Sequence, residues 1–489
     1  MSISHPDLKN IVEKWLDKNA ENIVHGLDIK SPNDLLEYER NLFLLLMQLG
    51  ALIMSWILKT RLQDPTFQKS AEHRILSKRT TQYRHATNPN TSVRTLFGNT
   101  VRLKLRSFQP ERKRGRKRKG GRRGKKNGCG IFPALEVLGI QFKSTPALAS
   151  EVTQSVIEGP SMEAAKERLV RRCISLDIKT LRRISESFAA VGLKIRDTWL
   201  KEDDPHNTPL VPKSESLRGK RVLISMDGGR IRIRKNKRGR ISKKSKRRKY
   251  NTDWREPKLI LIRTIDDNGQ VEKEFKPIVD GSIDGPDAIY QLLNAHLLAR
   301  DIQYASEIHC AGDGAPWIWL LLIRLFDKLK LDPSKITFVV DFYHAVEHLS
   351  KVADGRRGWN KRERRKWMKR MKIMLKQGDI EGVIDELRLL ARGRNAKAVK
   401  REIGYFEKNK ERMRYDIIKE KKLPIGSGAI ESVIRQVINM RLKNAGTFWL
   451  EENAEGFLHL RCYLKSKRWK IIEQAVINHS LGEQNTVVV

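Results

Sequence analysis

The sequence predicts an α/β fold, in which a mixed sheet flanked by helices is joined to a large all-helical segment and preceded by N-terminal helical regions. Between residues 216 and 345, short β-prone runs alternate with longer segments of helical periodicity. Residues 346–424 keep helical periodicity and show no strand pattern. Of the 489 residues 39% are hydrophobic, with 10 Trp and 14 Phe, which excludes a wholly disordered basic protein.

The charge is strongly unbalanced. Lys and Arg number 98 and Asp and Glu number 57, so the formal net charge is +41. Paired surface charges need both signs in similar numbers and cannot produce this excess. A polyanionic partner explains it, and nucleic acid is the commonest such partner.

Residues 1–95 have a helical pattern, with a helix start at Ser31-Pro32-Asn33-Asp34. Residues 42–58 are an apolar run of 17, whereas a membrane span needs about 20. Charged residues stand on both sides of the run, so we expect a buried or self-associating helix, with a membrane span as the alternative. No basic stretch followed by an apolar one opens the sequence, so we expect a cytoplasmic protein without a membrane partner.

The composition of residues 96–130 changes abruptly to Arg, Lys and Gly, which predicts a basic flexible arm. The arm is either a solvated linker or a segment that binds phosphates in a sequence-independent, salt-sensitive way. The density of Arg favours phosphate binding, and the cations expected to take part are Arg112, Lys113, Arg114, Arg116, Lys117, Arg118 and Lys119.

Residues 131–215 contain two adjacent helical patterns, the first beginning at Ser161 and the second after residue 176. Two short helices joined by a tight turn fit a helix-turn-helix DNA-binding domain, in which Lys179, Arg182 and Arg183 of the second helix would contact DNA. Any helical hairpin has the same pattern, so the spacing alone leaves both interpretations open.

Residues 216–345 carry the strand patterns, at 221–226, 230–234, 258–264, 308–311 and 336–340. Helical patterns cover 286–300 and 316–330 and begin again at Tyr343. The last helical pattern begins near Ala429, after Gly426-Ser427-Gly428.

Three carboxylates stand at the ends of these elements. Asp227 and Asp313 end predicted strands, and Glu431 lies in the first turn of the last helix. Carboxylates in such positions can converge at one edge of a sheet and hold two divalent cations, because Mg²⁺ prefers oxygen ligands. Taken singly, the two Asp-Gly pairs could be turns and Glu431 a favourable charge at a helix N-terminus.

Three motifs make the chain resemble bacterial insertion-sequence transposases of the DDE class, nearest to the Kra-type group and more distantly similar to Mutator-like element transposases. They are GDGAPWIW (312–319), VVDFYHAVEHL (339–349) and GSGAIESVIRQVINMRLKNAGTFW (426–449). The resemblance implies an RNase H-like catalytic core with Asp227, Asp313 and Glu431 as its metal-binding triad. It also implies that 216–345 and 425–475 form the core, that 346–424 is a helical insertion between them, and that 476–489 is a tail.

The resemblance further implies that Asp341 and His344 form an Asp-x-x-His motif beside the triad; a packing and salt-bridge face of His344 and His348 is the alternative. It implies Mg²⁺ as cofactor, which Mn²⁺ can replace. Zinc is not expected, because Cys129 stands alone where relatives often carry paired cysteines; the other cysteines, Cys173, Cys310 and Cys462, form no Cys-x-x-Cys pair and indicate a reducing compartment.

The implied partners are double-stranded DNA, both the terminal inverted repeats of the element and the target, and further copies of the chain on that DNA in a bacterial nucleoid. Around the last helix, Arg435, Arg441 and Lys443 are expected to contact DNA. Trp449 could stack on an unpaired base or pack in the core. The competing readings are another two-metal nuclease of the same fold, RuvC-like or RNA-guided, and a non-catalytic DNA-binding protein.

Overall fold

The computed structural model describes residues 5–111, 130–236, 241, 249–444 and 446–479. The chain forms two compact units, one of Met1–Val191 with Glu473–Val489 and the other of Gly192–Ile472. The cations expected in the basic arm lie outside the described residues: Arg112, Lys113, Arg114, Arg116, Lys117, Arg118 and Lys119.

The first unit begins with three helices, α1 (His5–Val24), α2 (Pro32–Gln63) and α3 (Pro65–Leu76). Four short strands follow, β1 (Tyr83–Thr87), β2 (Asn90–Arg94), β3 (Thr100–Lys104) and β4 (Ser107–Pro110). Strand β1 pairs with β4 and β2 with β3, both antiparallel. Helices α4 (Pro133–Val137), α5 (Pro146–Glu158) and α6 (Met162–Val170) come next, and α7 (Ile178–Trp199) carries the chain into the second unit.

The prediction of helix through residue 95, and of a flexible arm from residue 96, is wrong for residues 83–110, which form these strands. In β3 the side chains of Val101 and Leu103 are buried and those of Arg102 and Lys104 are exposed. The basic residues are therefore the solvent-facing half of a period of two. Val101 and Leu103 pack with Leu62 of α2 in the core of this unit.

Helix α2 contains the apolar run. Its start is confirmed, because the Ser31 side chain accepts a hydrogen bond from the Asp34 N–H and the Asp34 carboxylate accepts one from the Ser31 N–H, a capping box. Of the two forms expected for this helix, burial within the chain is not seen, since only Leu58 and Leu62 of its described residues are buried, and self-association stays a prediction. By length and composition it is the one helix of the described chain that could cross a membrane, a test that the core helices of other proteins also pass.

The second unit contains a five-stranded mixed sheet and a separate two-stranded ribbon. The sheet has the order β11-β10-β5-β8-β9 and consists of β5 (Arg221–Gly228), β8 (Lys258–Ile265), β9 (Ile278–Ser282), β10 (Glu307–Gly312) and β11 (Ile336–Val340). Strand β10 is parallel to β5 and β11, whereas β8 is antiparallel to β5 and β9. The ribbon consists of β6 (Ile231–Asn236) and β7 (Tyr250–Arg255), paired antiparallel.

The helices of this unit alternate with its parallel strands and then continue without strands. They are α8 (Pro286–Leu298), α9 (Pro316–Lys328), α10 (Phe342–Asp354), α11 (Lys361–Lys376), α12 (Ile380–Leu390), α13 (Ala396–Asn409), α14 (Tyr415–Glu420), α15 (Gly428–Ile434), α16 (Glu451–Lys465) and α17 (Trp469–His479), the last of which crosses the boundary of the unit. A π-helical turn, Arg435–Asn439, follows α15 directly. The α/β class, the five predicted strands and the helical character of residues 346–424 are confirmed.

Strand β9 was not predicted from the sequence because its five residues, IVDGS, include an Asp and a Gly that suggest a turn. Asp280 of β9 is fully buried, and it is compensated by two histidines: His296 Nε2 lies 3.0 Å and His459 Nδ1 3.5 Å from its carboxylate oxygens. These hydrogen bonds hold the pKa of Asp280 well below its ordinary value despite the opposing effect of burial.

A second buried pair joins the carboxyl half of α7 to α16. The Arg196 guanidinium lies 2.9 Å from Glu455 Oε1, and both side chains are less than a tenth exposed. The other oxygen of Glu455 accepts a hydrogen bond of 2.8 Å from the backbone N–H of Ile283, just after β9. The pair therefore fixes two helices to the edge of the sheet.

We predict that Glu455→Gln destabilises the second unit by about 3–5 kcal/mol, because the buried Arg196 loses its buried partner and keeps only the exposed carboxylate of Asp197, 3.5 Å away. Glu451→Gln on the same helix is the matched control: Glu451 lies 3.7 Å from Arg255 and is about two-fifths exposed, so its loss should cost under about 1 kcal/mol. Urea unfolding followed by tryptophan fluorescence measures both. Equal effects of the two substitutions would contradict the assigned role of the buried pair.

Candidate active site

The register of two parallel strands brings the two aspartates together. In the β5–β10 pair, Ser225 lies opposite Ala311. Asp227 follows two residues later in β5, and Asp313 is the residue directly after β10, so both aspartates lie where these neighbouring parallel strands end. Both side chains are partly buried. Asp227 Oδ1 accepts the Gly228 N–H at 2.6 Å, and Asp313 Oδ1 accepts the Ala315 N–H at 2.9 Å.

Glu431 reaches the same edge from above the sheet. It lies in the first turn of α15, which packs against β5 and β8, and its side chain is exposed. The segment that precedes α15 is tied to the carboxyl ends of β10 and β11. The Phe342 N–H donates to Ile425 O at 2.9 Å, and His309 Nε2 donates to Pro424 O at 2.8 Å. Burial lowers the pKa of His309 to about 4, so this histidine is neutral at pH 7.

The charges at this edge act on Asp227. Its pKa is raised to about 6, first because the carboxyl group is buried and further because Asp313 and Glu431 add negative charge. The Gly228 N–H and the charge of His344 oppose the rise. Asp313, Glu431 and His344, which are far apart in sequence, therefore lie close enough to Asp227 for their charges to act on it.

Asp341 is fully buried and acts as a hub for hydrogen bonds. Its Oδ1 accepts from the backbone N–H groups of Tyr343 (2.6 Å) and His344 (2.9 Å), which caps α10. Its Oδ2 accepts from the N–H of Ser427 and from the Ser427 hydroxyl, at 2.5 Å for the latter. Asp341 thus joins the end of β11 to the loop before α15 and orients both His344 and Glu431. Its oxygens are already occupied by these donors.

The insertion also contacts the site. Tyr405 of α13 donates its hydroxyl hydrogen to the backbone carbonyl of Asp313 at 3.1 Å, and Tyr415 donates to the carbonyl of Val340 at 3.0 Å. Gly314 has a φ of +91°, and a Cβ there would lie 2.8 Å from the Tyr405 ring. Only glycine fits this position, and the insertion thereby holds the loop that carries Asp313.

The donor set fits a hard divalent cation in its chemistry. Burial, and then the negative charges of Asp313 and Glu431, raise the pKa of Asp227, and a bound cation would offset both effects. Among the described residues, no group of three or more His, Cys, Asp or Glu side chains is gathered closely enough to hold an ion as it stands. The oxygen ligands that this edge offers to a cation are the carboxylates of Asp227, Asp313 and Glu431.

The cations expected at DNA fall into two groups in this unit. Arg435 and Lys443 are exposed, and Lys443 lines a cavity of about 280 Å³ that begins at Gly228 and Gly229, beside Asp227. Arg441 and Trp449, by contrast, are less than a tenth exposed. The Arg441 guanidinium lies 5.1 Å from the centre of the Trp449 ring.

The burial of Arg441 argues against the expected DNA contact, and of the two roles considered for Trp449 the structure favours packing in the core. Trp449 packs against Phe457, with ring centres 5.2 Å apart, and its indole N–H donates to Leu442 O at 3.0 Å. Its backbone pairs with β6, where the Arg234 N–H donates to Trp449 O at 2.8 Å. Trp449 is a core residue that anchors the ribbon.

In the first unit, the two predicted helices are confirmed as α6 and α7, and the Ser161 side chain caps α6 by accepting from the Ala164 N–H at 3.0 Å. Lys179, Arg182 and Arg183 of α7 are all exposed, and the Arg183 guanidinium lies 5.9 Å from the centre of the Phe142 ring. Their exposure agrees with a DNA contact, and it also agrees with a solvated helix face.

Comparison with known proteins gives no match, either to a protein-family model or to a curated sequence.

We predict that Asp227→Asn stabilises the second unit at pH 7 in the absence of divalent cations. The folded protein favours the protonated carboxyl, so this contribution to stability is complete below the ordinary pKa of 3.8 and is lost as the pH rises through about 6. Asparagine removes that loss, which amounts to roughly 1–3 kcal/mol. Urea unfolding in EDTA at pH 4 and pH 7 measures it, with exposed Asp287→Asn as control. A difference between wild type and Asp227→Asn that does not grow from pH 4 to pH 7 would contradict the raised pKa.

We predict that Asp341→Asn loosens the loop before α15, because an amide supplies one acceptor oxygen and presents its NH₂ group where the Ser427 donors point. The cost should be about 1–3 kcal/mol. Hydrogen–deuterium exchange should accelerate at residues 427–431 and stay unchanged in β8. Ser427→Ala removes one of these hydrogen bonds and should accelerate exchange less. If residues 427–431 exchange in Asp341→Asn as slowly as in wild type, Asp341 does not position this loop.

Proposed function

We propose that the chain is a DDE-class transposase that binds the ends of its insertion sequence and catalyses Mg²⁺-dependent DNA cleavage and strand transfer. The convergence of Asp227, Asp313 and Glu431 at one edge of the sheet carries this proposal. The family resemblance implies that these three carboxylates, and no others in the chain, lie together at one site. The RNase H-like core belongs to the proposal, and the mixed five-stranded sheet with flanking helices is compatible with it.

In the proposed reaction, water attacks the phosphodiester at the 3′ end of the element, which leaves a 5′ phosphate on the flanking DNA and frees the 3′ hydroxyl of the element. That hydroxyl then attacks a phosphodiester of the target strand, forms a new phosphodiester bond and releases the 3′ hydroxyl of the cut target strand. Bound Mg²⁺ or Mn²⁺ supplies activation of the attacking oxygen and stabilisation of the leaving 3′ oxygen. Asp227 lies in β5 and Asp313 directly follows the adjacent strand β10, so the sheet and the loop held by Tyr405 together set their spacing. Glu431 comes from a helix that Asp341 positions, so its distance from the aspartates depends on the Asp341–Ser427 contact.

The charge distribution supports a DNA substrate. In the second unit, Arg435 and Lys443 are exposed close to the triad, and Arg230 lines the same cavity as Lys443. In the first unit, Lys179, Arg182 and Arg183 offer a separate basic surface. Phosphate contacts from both would account for part of the net charge of +41. Cofactor and partner follow from the proposal: Mg²⁺, double-stranded DNA and further copies of the chain.

We predict that Asp227→Asn, Asp313→Asn and Glu431→Gln each lower Mg²⁺-dependent cleavage of element-end DNA by at least about 10³-fold, while binding to that DNA changes little. Each substitution removes one negative ligand without changing the size of the side chain. The assay follows cleavage of labelled end DNA with Mg²⁺, with Mn²⁺ and in EDTA.

Asp287→Asn is the control, since Asp287 is an exposed carboxylate at the start of α8, and it should cleave like wild type. Substantial cleavage by any triad variant would remove that residue from the site. Binding without cleavage by wild type, with either metal, would favour the non-catalytic DNA-binding protein.

A further inference from the structure

The ribbon β6–β7 has one buried and one outward face. Ile231 and Ile233 are fully buried, so Arg232 and Arg234, which alternate with them, lie on the other face. The antiparallel register sets Trp254 opposite Arg232 and Thr252 opposite Arg234. Opposite residues share a face, so the outward face carries two arginines and a tryptophan.

Aromatic rings and guanidinium groups alternate across this face. The Arg232 guanidinium lies 4.6 Å from the centre of the Phe448 ring and 5.7 Å from that of Trp254. The Arg234 guanidinium lies 5.9 Å from the centre of the Tyr250 ring, which is 5.7 Å from Phe448. Trp254 is 57% exposed and Tyr250 42% exposed, so both rings have free surface for a partner.

The positive charge of the outward face is not compensated. Within the described part of the chain, neither Arg232 nor Arg234 has an ion-pair partner, and the Arg234 Nε is buried without an acceptor. The carboxylate of this ribbon, Asp253, lies opposite Ile233 on the other face, 3.9 Å from Arg255. Arg232 Nη2 donates a hydrogen bond of 3.4 Å to the neutral backbone carbonyl of Asn444, which leaves its charge uncompensated. Large exposed rings beside guanidinium groups without a carboxylate partner match the bases and phosphates of a nucleic-acid strand.

The ribbon starts directly at the candidate active site. Gly228 and Gly229 alone separate Asp227 from Arg230, and at about 3.3 Å per residue Arg232 is at most about 17 Å from Asp227 along the chain. That distance corresponds to about five nucleotides at 3.4 Å each. The ribbon is also held in place at Ile233, because Ile233 pairs with Trp449 in the segment that follows α15.

We propose that the outward face of this ribbon binds unpaired nucleotides of the DNA strand within about five nucleotides of the phosphodiester at Asp227, by stacking on Trp254 and Tyr250 and by phosphate contacts from Arg232 and Arg234. This inference rests on the proposed function for the location of the phosphodiester, and it specifies the form of the substrate there. Stacking requires bases whose faces are free, so the ribbon favours single-stranded over duplex DNA.

The test measures binding of the full chain, in EDTA, to a labelled single strand of about 20 nucleotides and to the duplex of the same sequence. Trp254→Ala should weaken single-strand binding about tenfold or more, Trp254→Phe should retain most of it, and duplex binding should change less than about twofold. Arg232→Ala should also lower the salt dependence of single-strand binding, by roughly 0.7 in the logarithmic slope.

A matched control pair, an arginine beside an exposed aromatic ring, lies at the amino ends of β5 and β10, the ends opposite to Asp227 and Asp313. The Arg218 guanidinium lies 3.7 Å from the centre of the Tyr304 ring, which is 49% exposed, just before β5 and β10 begin. Tyr304→Ala and Arg218→Ala should leave single-strand binding unchanged. Thermal unfolding of every variant establishes that it is folded.

Three results would overturn the proposal: no single-strand binding by wild type, equal effects of Trp254→Ala and Tyr304→Ala, or equal weakening of single-strand and duplex binding by Trp254→Ala. The assay contains no divalent cation and needs no cleavage. If the ribbon does not bind single strands, the proposed cleavage activity is unaffected by that result. If the chain does not cleave DNA, binding by the ribbon can still be measured.

Discussion

Negative charge held at one edge of a sheet is the constraint on which the rest of this site depends. The register of β5 and β10 sets Asp227 beside Asp313, and burial raises the pKa of Asp227 to about 6. Such an arrangement lowers stability at neutral pH in the absence of a cation, since like charges repel more strongly where water is excluded. The strand pairing holds the two aspartates in this position nonetheless, and under the proposed function a divalent cation would relieve the unfavourable charge.

The elements around this edge serve to hold it. Asp341 links β11 to the loop before α15 and so determines where Glu431 stands. Tyr405 and Tyr415 reach from the helical insertion to backbone carbonyls at the ends of β10 and β11. Helices of residues 346–424 therefore help to hold the site in place. A shift of these helices would first displace the loop that carries Asp313, which Tyr405 contacts directly.

The sequence predicted the sheet well where strands are continuous apolar runs, as in residues 221–226, 308–311 and 336–340. It failed where charge or turn residues mask a strand: β3 alternates Val and Leu with Arg and Lys, and β9 buries an Asp that only two distant histidines make tolerable. Such compensation joins residues far apart in sequence and has no local pattern.

The three carboxylates could be singled out from the sequence because strand ends and a helix start are visible in the pattern, and the family resemblance implied that they form a triad. The role of Asp341 was not predicted, since its partner Ser427 is 86 residues away. Core packing was one of the two roles considered for Trp449, and its burial agrees with that role. The burial of Arg441 beside it was not predicted, because the pairing of Trp449 with β6 is a tertiary contact without a local pattern. The ribbon was visible as the strict alternation of Arg and Ile in residues 230–234, but its aromatic partners come from β7 and from Phe448.

The measurement that tests the central claim most directly is titration of the full chain with Mn²⁺ at pH 7, followed by electron paramagnetic resonance. If Asp227, Asp313 and Glu431 form one cation site, wild type should bind up to two ions per chain. Asp227→Asn, Asp313→Asn and Glu431→Gln should each weaken that binding strongly, and Asp287→Asn should not. Equal Mn²⁺ binding by wild type and all three triad variants would contradict the account.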